Sequence, residues 1–213
     1  MVTRIGTGAR VLGIGMAAVV LGGALSACGS SPISGDLAAG AQKWPDFTTV
    51  LSDKVALKQT LPGRAAMPGW EVHRNRVATA EESGEECPGC KLDGTADFEA
   101  GAVTATFKIT TFGSSAEASA YLAKTAKEFE AKAGKTSSKL SVPATGNETV
   151  AYGGTYHDSP RNVVLMRVGT AFAGVMLEDS SDVAQLQKMA TMLARRVEQA
   201  AAGQPVDAAL NAG

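Results

Sequence analysis

The fold of this chain is decided by one stretch of sequence, VTATFKITTF, which runs from Val103 to Phe112. Apolar side chains occupy every second position, and threonine or lysine occupies the positions between them. The apolar series is Val103, Ala105, Phe107 and Ile109, and the polar series is Thr104, Thr106, Lys108 and Thr110. This period of two is typical of a strand in a sheet that buries one of its faces. We therefore expect a sheet with one face buried around this strand.

A helix is predicted directly after this strand. Ser114 and Glu117 have the spacing of a capping box, which satisfies free backbone N–H groups at the start of a helix. The apolar positions that follow recur at helical spacing, and Gly134 is a stop signal. The predicted stripe on one side of this helix is Ala118, Tyr121, Leu122, Thr125 and Phe129.

The chain beyond this helix contains a second β region and a final helix. Glu148–Tyr156 is one predicted strand, and Arg161–Val168 and Ala171–Glu178 are two more. The last two flank Gly169-Thr170, a two-residue loop with glycine first, as a type II′ hairpin prefers. A polar residue at position 181 or 182 then caps a long helix. Its apolar stripe consists of Val183, Leu186, Ala190, Leu193 and Val197.

Two more elements are predicted before the central strand. A short helix opens at Trp44-Pro45 and ends before Pro62, because apolar residues there recur at helical spacing. A strand follows from Trp70 to about Val77, and then an acidic loop from Glu81 to Asp93. This order of elements predicts a single α+β domain, an antiparallel sheet with helices packed on one face. Regular βαβ alternation is missing, which argues against a doubly wound nucleotide-binding fold.

The N-terminus has the parts of a bacterial lipoprotein signal. Arg4 and Arg10 precede an apolar run, and the run ends in Leu25-Ser-Ala-Cys28, which matches the lipobox. Cleavage before Cys28 and diacylation of its thiol would anchor the chain to the membrane. Two alternatives remain open, an uncleaved transmembrane anchor over residues 11–27 and a cleaved signal with an unmodified Cys28. Glycines interrupt the run, and it is short for a bilayer span of roughly 20 apolar residues.

The domain organisation follows from this leader. We predict a cleaved signal peptide (1–27), a lipidated flexible tether (28–41), the α+β domain (42–202) and a flexible tail (203–213). The tether and the tail are both rich in small residues. The predicted location is the extracytoplasmic face of the cell membrane, with attachment through the diacylglyceryl group on Cys28.

The charge balance argues against two kinds of partner. The chain carries 20 Lys and Arg against 21 Asp and Glu, and two of the arginines lie in the predicted signal. A mildly acidic mature chain argues against nucleic acid, which selects basic surfaces. It also argues against electrostatic adhesion to anionic lipid.

Cys87 and Cys90 are the remaining cysteines, in the motif Cys-Pro-Gly-Cys. An oxidising compartment favours a local disulfide across this tight turn. A thiol oxidoreductase is an alternative, but the four nearby glutamates raise the pKa of an attacking thiol. A metal site is a further alternative, with Glu85 and Glu86 beside the two sulfurs and His73 or His157 brought from elsewhere. The acidic run itself consists of Glu81, Glu82, Glu85 and Glu86.

Other candidate chemistry is weaker. Tyr156-His157-Asp158-Ser159 contains the residue types of a hydrolytic triad, but adjacent positions cannot place a base between its nucleophile and its orienting acid. We interpret His157-Asp158-Ser159-Pro160 as a turn before the next strand, and we expect no catalytic residue and no cofactor. Asn147-Glu148-Thr149 is formally a glycosylation sequon. Four aromatic residues near turns are either core anchors or the walls of a ligand cleft, namely Trp44, Trp70, Phe112 and Tyr152.

Several segments together resemble the extracytoplasmic sensor domain of actinobacterial serine/threonine protein kinases and of lipoproteins that share it. They are Leu61-Pro62, Pro68-Gly69-Trp70, a cysteine-containing loop, the strand Val103–Phe112 with Gly113–Ala118 after it, Arg161–Leu165 and an Ala/Arg-rich final helix. The resemblance implies a sheet folded around a cleft and a sensing role without catalysis. Family members often carry two disulfides, whereas this chain has cysteines for one. We also expect no kinase domain, so that any signal passes through a partner protein.

The leading hypothesis is therefore a membrane-anchored lipoprotein that binds a ligand outside the cytoplasm. The ligand would be a small molecule, an envelope polymer or a protein. The alternative is an extracytoplasmic thiol-disulfide or metal-binding protein that uses Cys87 and Cys90. A concave, partly apolar cleft on a sheet face would favour ligand binding.

Overall fold

A computed structural model of the chain describes residues 43–83, 87–133, 137–156 and 158–211. The predicted signal peptide (1–27), Cys28 and the tether (28–41) lie outside these residues. Glu85, Glu86 and His157 also lie outside them. Among the described helices, none has the length and apolar character that a membrane span requires.

Seven strands of the described chain form one antiparallel sheet. In chain order they are β1 (Glu71–Thr79), β2 (Cys90–Ala100), β3 (Val103–Phe112), β4 (Ser138–Lys139), β5 (Glu148–Tyr156), β6 (Ser159–Val168) and β7 (Ala171–Glu178). Across the sheet the order is β1-β2-β3-β7-β6-β5-β4. The stretch VTATFKITTF is β3, and it lies inside the sheet between β2 and β7. The predicted α+β class is therefore confirmed.

The described chain also contains helices of very different length. They are α1 (Lys54–Thr60), α2 (Ala80–Ser83), α3 (Ser115–Ala133) and α4 (Val183–Ala201), with a 3-10 turn at Arg64–Ala66. The capping box before α3 is present, because the backbone N–H of Glu117 donates to the Ser114 hydroxyl at 3.3 Å. Asp182 caps α4 by accepting a hydrogen bond from the N–H of Gln185 at 2.9 Å.

The first helix is shorter than predicted. It begins only after Asp53, and the preceding segment, which starts at Trp44, has no helical turn. Distant side chains hold the carbonyl groups of that segment. Asn147 donates to the carbonyl of Trp44 at 3.1 Å, and the Thr170 hydroxyl donates to the carbonyl of Thr49 at 2.7 Å. These carbonyls are therefore not available for a helix, whatever the local spacing of apolar residues.

α1 and α4 pack on one face of the sheet. The core on this face takes alternate positions of the strands, including Phe107 and Ile109 in β3 and Met166 in β6, all 0% exposed. α4 inserts Leu186 and Leu193 of its predicted stripe into the same core. The face that was expected to be buried around β3 is thus the face that α4 covers.

α3 lies on the opposite face, which differs from the predicted placement of all helices on one face. Its buried residues Ala118 and Leu122 form a second core with Val163 and Leu165 of β6 and Phe172 of β7. These strand residues alternate with those that face α4, so β6 and β7 are buried on both sides. The physical reason for the difference is that the apolar side chains of these two strands need cover on both faces.

The described part of the tail, residues 203–211, also differs from the expectation of a free end. The N–H of Leu210 donates to the carbonyl of Ala66 at 2.9 Å, and Arg196 of α4 donates to the carbonyl of Ala208 at 2.8 Å. Ala208 and Leu210 pack against the core beside α4. Small residues permit this close return of the chain, because they bring little side-chain volume between the backbone and α4.

Candidate functional site

The strongest candidate site is a groove of about 410 Å³ between α3 and the sheet, which we call the sheet groove. It is lined from α3 by Tyr121, Thr125, Glu128 and Phe129, and from the strands by Thr106, Lys108, Val163, Leu165, Phe172, Gly174, Val175 and Met176. α3 covers the middle of this face, whereas Arg74 and Arg76 of β1 remain exposed on it. The groove therefore lies where the cover provided by α3 ends.

Aromatic rings form the wall and one end of the sheet groove. The ring centroids of Tyr121 and Phe172 are 5.0 Å apart in an edge-to-face arrangement, and those of Tyr121 and Phe112 are 5.2 Å apart. Phe129, two helical turns beyond Tyr121, stacks on Tyr152 at 5.7 Å. Contacts of this kind hold each ring in one orientation. The wall is therefore preformed and apolar, as ligand sites commonly are.

Gly174 shapes the floor of the sheet groove. It lies on β7 opposite Lys108 of β3 on one side and Leu165 of β6 on the other. A methyl group at this position would meet its nearest atoms, on Leu165 and Phe172, at 3.5 Å, which is ordinary van der Waals contact. The backbone thus has room for a side chain, and the missing side chain leaves a depression in the floor.

The charges in the sheet groove are balanced. Lys108 forms an ion pair with Asp93 of β2 at 3.2 Å, and Asp93 also accepts a hydrogen bond from the Thr110 hydroxyl at 2.9 Å. On the helix side, Glu128 lies 3.8 Å from Lys124. Because each of these charges has a partner of opposite sign, the groove has no strong preference for a charged ligand. Its chemistry favours an apolar or amphipathic molecule.

The comparisons with known proteins bear on the fold. No protein-family model matches the chain, and none of the curated proteins matches it. Among solved structures there is a match with 10% sequence identity and a TM-score of 0.52, which covers 69% of this chain and 97% of the other. The chain is similar in fold to the extracellular domain of PknH from Mycobacterium tuberculosis. The resemblance inferred from short motifs is therefore confirmed at the level of the fold.

Individual residues are not carried over from PknH at 10% identity. The match spans nearly all of the PknH domain, so that domain has its counterpart in the sheet and helices of this chain. The two proteins therefore share an architecture, and the roles of side chains here rest on their own contacts.

The four aromatic residues singled out in the sequence divide into two groups. Trp44, Phe112 and Tyr152 are buried and belong to the two cores. The indole N–H of Trp44 donates to the carbonyl of Ala144 at 3.2 Å. Trp70 is half-buried and lines a groove along α4. Three of the four are therefore core anchors, and one is accessible to a ligand.

Cys87 and Cys90 are joined by a disulfide, with their Cα atoms 5.5 Å apart. The N–H of Cys90 donates to the carbonyl of Cys87 at 3.1 Å, and Gly89 between them has a φ of +83°. The motif is thus a tight turn that leads into β2. Redox-active Cys-X-X-Cys motifs depend on environments that lower the pKa of the attacking thiol, such as the first turn of a helix. Here the motif leads into a strand, and its second cysteine is the first residue of β2, so it does not open a helix of its own.

The remaining candidate residues do not converge within the described chain. His73 is exposed and lies 3.8 Å from Glu99, at the end of the β1–β2 pair that is remote from the cysteine turn. No group of three or more possible metal ligands occurs in residues 43–83, 87–133, 137–156 and 158–211. Asp158 has a φ of +65° in the loop that joins β5 to β6, and Ser159 begins β6. The turn predicted over residues 157–160 is therefore too long, because Ser159 and Pro160 of β6 already pair with Tyr156 and Thr155 of β5.

Asn147 of the sequon has a structural role. Its amide nitrogen donates to the carbonyls of Trp44 and Pro45, each at 3.1 Å, and its amide oxygen accepts from the N–H of Gly169 at 2.7 Å. Both the nitrogen and the oxygen of the amide therefore make hydrogen bonds within the protein. The side chain therefore ties the segment before α1 to the β6–β7 hairpin.

Two buried arginines and one strand were missed from the sequence. Arg167 donates to Asp46 and to Glu148, at 2.6 Å each. Burial opposes its charge, yet these carboxylates raise the pKa of Arg167 overall. Arg196 of α4 is buried among backbone carbonyls. β2 was assigned in part to the acidic loop, although Leu92, Gly94, Ala96 and Phe98 alternate with Asp93, Thr95, Asp97 and Glu99. That period of two is the signal that could have identified the strand.

Proposed function

We propose that this chain is an extracytoplasmic, non-catalytic sensing or ligand-binding module that takes an apolar or amphipathic small molecule in the sheet groove. The observation that carries the proposal is the preformed aromatic groove over Gly174. A concave, partly apolar cleft on a sheet face is the feature expected to favour ligand binding, and the sheet groove supports the proposal in that way. Its volume of about 410 Å³ lies in the range of small-molecule sites.

The fold similarity supports the extracytoplasmic role. The solved domain with the same architecture is described as extracellular and belongs to PknH. The lipobox at Leu25–Cys28 supports attachment of this chain to the outer side of the membrane through Cys28. Together these features support a surface module that detects its ligand next to the membrane and passes the signal to a partner protein.

The chemistry of the groove supports a ligand with an extended apolar part. Tyr121, Phe129 and Phe172 offer ring surfaces, and Met176 offers a flexible thioether that adapts to different shapes. Thr106 and Thr125 supply hydroxyl groups to the lining of the groove. An amphipathic molecule can place its apolar part against the rings and its polar end at these hydroxyls.

The direct test of the groove is a substitution that fills it. Gly174→Val adds a branched side chain on a strand, where such side chains are well tolerated, at a position with ordinary contact distances. Thr104→Val is the matched control, because Thr104 lies on the same face of β3 but not in the groove. The probe is a fluorescent fatty acid, with binding followed by emission and retained host ligand followed by native mass spectrometry.

The expected result is that the wild type and Thr104→Val bind the probe, and that Gly174→Val binds it at least about tenfold more weakly. Circular dichroism of each variant shows whether the fold is kept. Equal binding by a folded Gly174→Val variant would overturn the assignment of the ligand to the sheet groove. If the folded wild type binds no probe and retains no apolar ligand from its host, the ligand-binding proposal itself is overturned.

Membrane attachment has its own test. Cys28→Ser should abolish lipid addition, so that the chain leaves the membrane fraction of the host, while Cys87→Ser should stay there. Globomycin should block processing of the wild-type chain. A product that carries no mass increase at Cys28 and is freely secreted would contradict the lipid anchor.

A further inference from the structure

A second groove runs along the outer side of α4, on the sheet face opposite the sheet groove, with a volume of about 910 Å³. We call it the α4 groove and define it by Trp70, Gln185, Lys188, Thr191, Arg195 and Asn211. One wall is α4, another is the turn that carries Trp70, and the third is the returning tail. It shares no lining residue with the sheet groove.

Trp70 is the feature that suggests a ligand. The ring packs partly on the core, yet it is only half-buried. Within the described chain its indole N–H has no hydrogen-bond acceptor, whereas the N–H of the buried Trp44 donates to Ala144. An amphipathic ring with an apolar face and a free donor is suited to a sugar or polyol, whose C–H groups pack on the ring and whose hydroxyls accept the N–H.

The polar side chains of the α4 groove suit the same class of ligand. Gln185, Lys188, Thr191 and Arg195 recur at spacings of three or four and so share one side of α4. Arg195 follows Lys188 by seven positions, which places them about 10 Å apart along the helix axis. Amide, hydroxyl and ammonium groups along one line match the several hydroxyls of a polyol.

The charge of the α4 groove points to an anion. Lys188 is exposed and makes no ion pair within the described residues. Arg195 is held in place by Glu198 at 2.7 Å and by the ring of Trp44 at 4.9 Å. The acidic group in the lining, Asp182, is engaged as the cap of α4. Lys188 is therefore the group that is available to a phosphate.

We propose that the α4 groove binds a phosphorylated sugar or polyol, with its ring on Trp70 and its phosphate at Lys188. The site goes beyond the ligand proposed for the sheet groove and does not depend on it. Such a unit could be a free metabolite or the headgroup of a membrane lipid.

The test uses the chain from Gly29 onward, which contains every described residue. Inositol monophosphate is the free probe, and phosphatidylcholine vesicles containing phosphatidylinositol present the same unit as a headgroup. Inorganic phosphate and neutral inositol separate the contributions of charge and of the polyol. Calorimetry follows the free probes, and co-sedimentation follows the vesicles.

Lys188→Glu and Trp70→Leu are expected to weaken binding of inositol monophosphate at least about tenfold. Lys127→Glu is the matched control, because Lys127 is also an exposed lysine on a long helix but lies outside both grooves. It should change binding less than about twofold. Gly174→Val should leave this binding unchanged, which separates the result from that of the sheet groove.

The site is supported if the free probe or the vesicles bind to the wild type and to Lys127→Glu but not to Lys188→Glu. Which of the two probes binds shows whether the ligand is a free metabolite or a lipid headgroup. Binding of inorganic phosphate as tight as that of inositol monophosphate would overturn the polyol assignment. Equal binding by Lys188→Glu, or no binding of either probe by the folded wild type, would overturn the proposal.

Discussion

Arg196 of α4 holds α4, the end of α1 and the tail together, and its replacement by methionine is the sharpest test of this packing. The side chain is 6% exposed. Its guanidinium donates to the carbonyls of Gln59, Thr60 and Leu61 at 2.6, 2.8 and 3.2 Å, and to that of Ala208 at 2.8 Å. The first three are carbonyls at the end of α1, where the helix itself supplies no further donors.

The expected loss of stability follows from these four contacts. Hydrogen bonds to a charged group contribute about 1.5–3 kcal/mol each, but burial of the charge offsets part of their sum. Burial also lowers the pKa of Arg196, in keeping with that cost, although an arginine stays charged in proteins. Methionine fills much of the volume and leaves the carbonyls without donors. We expect a net loss of about 3 kcal/mol, or a fall in Tm of about 6–12 °C for a domain of this size.

The neighbouring arginine is the matched control. Arg195→Met removes a partly exposed ion pair with Glu198 and a contact with Trp44, which together contribute about 1 kcal/mol or less. Urea unfolding followed by tryptophan fluorescence measures both variants. The same measurement on a chain that ends at Gly203 shows how much the tail contributes to the free energy of unfolding. Equal stability of the two arginine variants, or an unchanged midpoint in Arg196→Met, would refute this account of Arg196.

Two further outcomes follow from the site residues. Replacing both Cys87 and Cys90 by serine should lower the free energy of unfolding by about 2 kcal/mol in the chain-entropy model, since the closed loop is short. Free thiols in the untreated wild type, detected by thiol labelling and mass spectrometry, would contradict the disulfide. Burial, and then the hydrogen bond to Glu130, raise the pKa of Tyr152 to about 12. The neutral side chain therefore contributes its full stabilisation of the fold below the ordinary tyrosine pKa of about 10. This contribution is lost as the pH rises through about 12. Absorbance of tyrosinate during an alkaline titration should show one late tyrosine that Tyr152→Phe removes, and Glu130→Gln should lower its pKa; a wild type in which all tyrosines ionise together would exclude this environment.

The sequence predicted the elements whose patterns are local. β3, β5 and β7 have the predicted bounds, because alternation and a two-residue hairpin are short-range signals. The stripes of α3 and α4 were also correct, because helical periodicity is local. The first helix was predicted too long, because Asn147 and Thr170, about a hundred residues away or more, hold its carbonyls.

The placement of α3 could have been inferred from the apolar pattern of one strand. The segment that forms β6 is apolar on both sides, with Val163 and Leu165 alternating with Val164 and Met166. A strand of this kind is covered on both faces. The sheet therefore has helices on both faces. The sheet groove exists because α3 lies on the second face and leaves part of that face open.

The roles of the two tryptophans show why the sites themselves could not be predicted. Trp44 and Trp70 each lie beside a proline or glycine turn, and their local sequences do not distinguish them. Trp44 is buried because the carbonyl of Ala144, separated by 100 positions, accepts its N–H and because Arg195 covers its ring. Trp70 has no corresponding acceptor in the described chain, and the tail that borders it leaves the α4 groove open. The distant segment that contacts a ring therefore decides whether the ring anchors the core or is free to meet a ligand. A short stretch of sequence around the ring does not identify that distant segment.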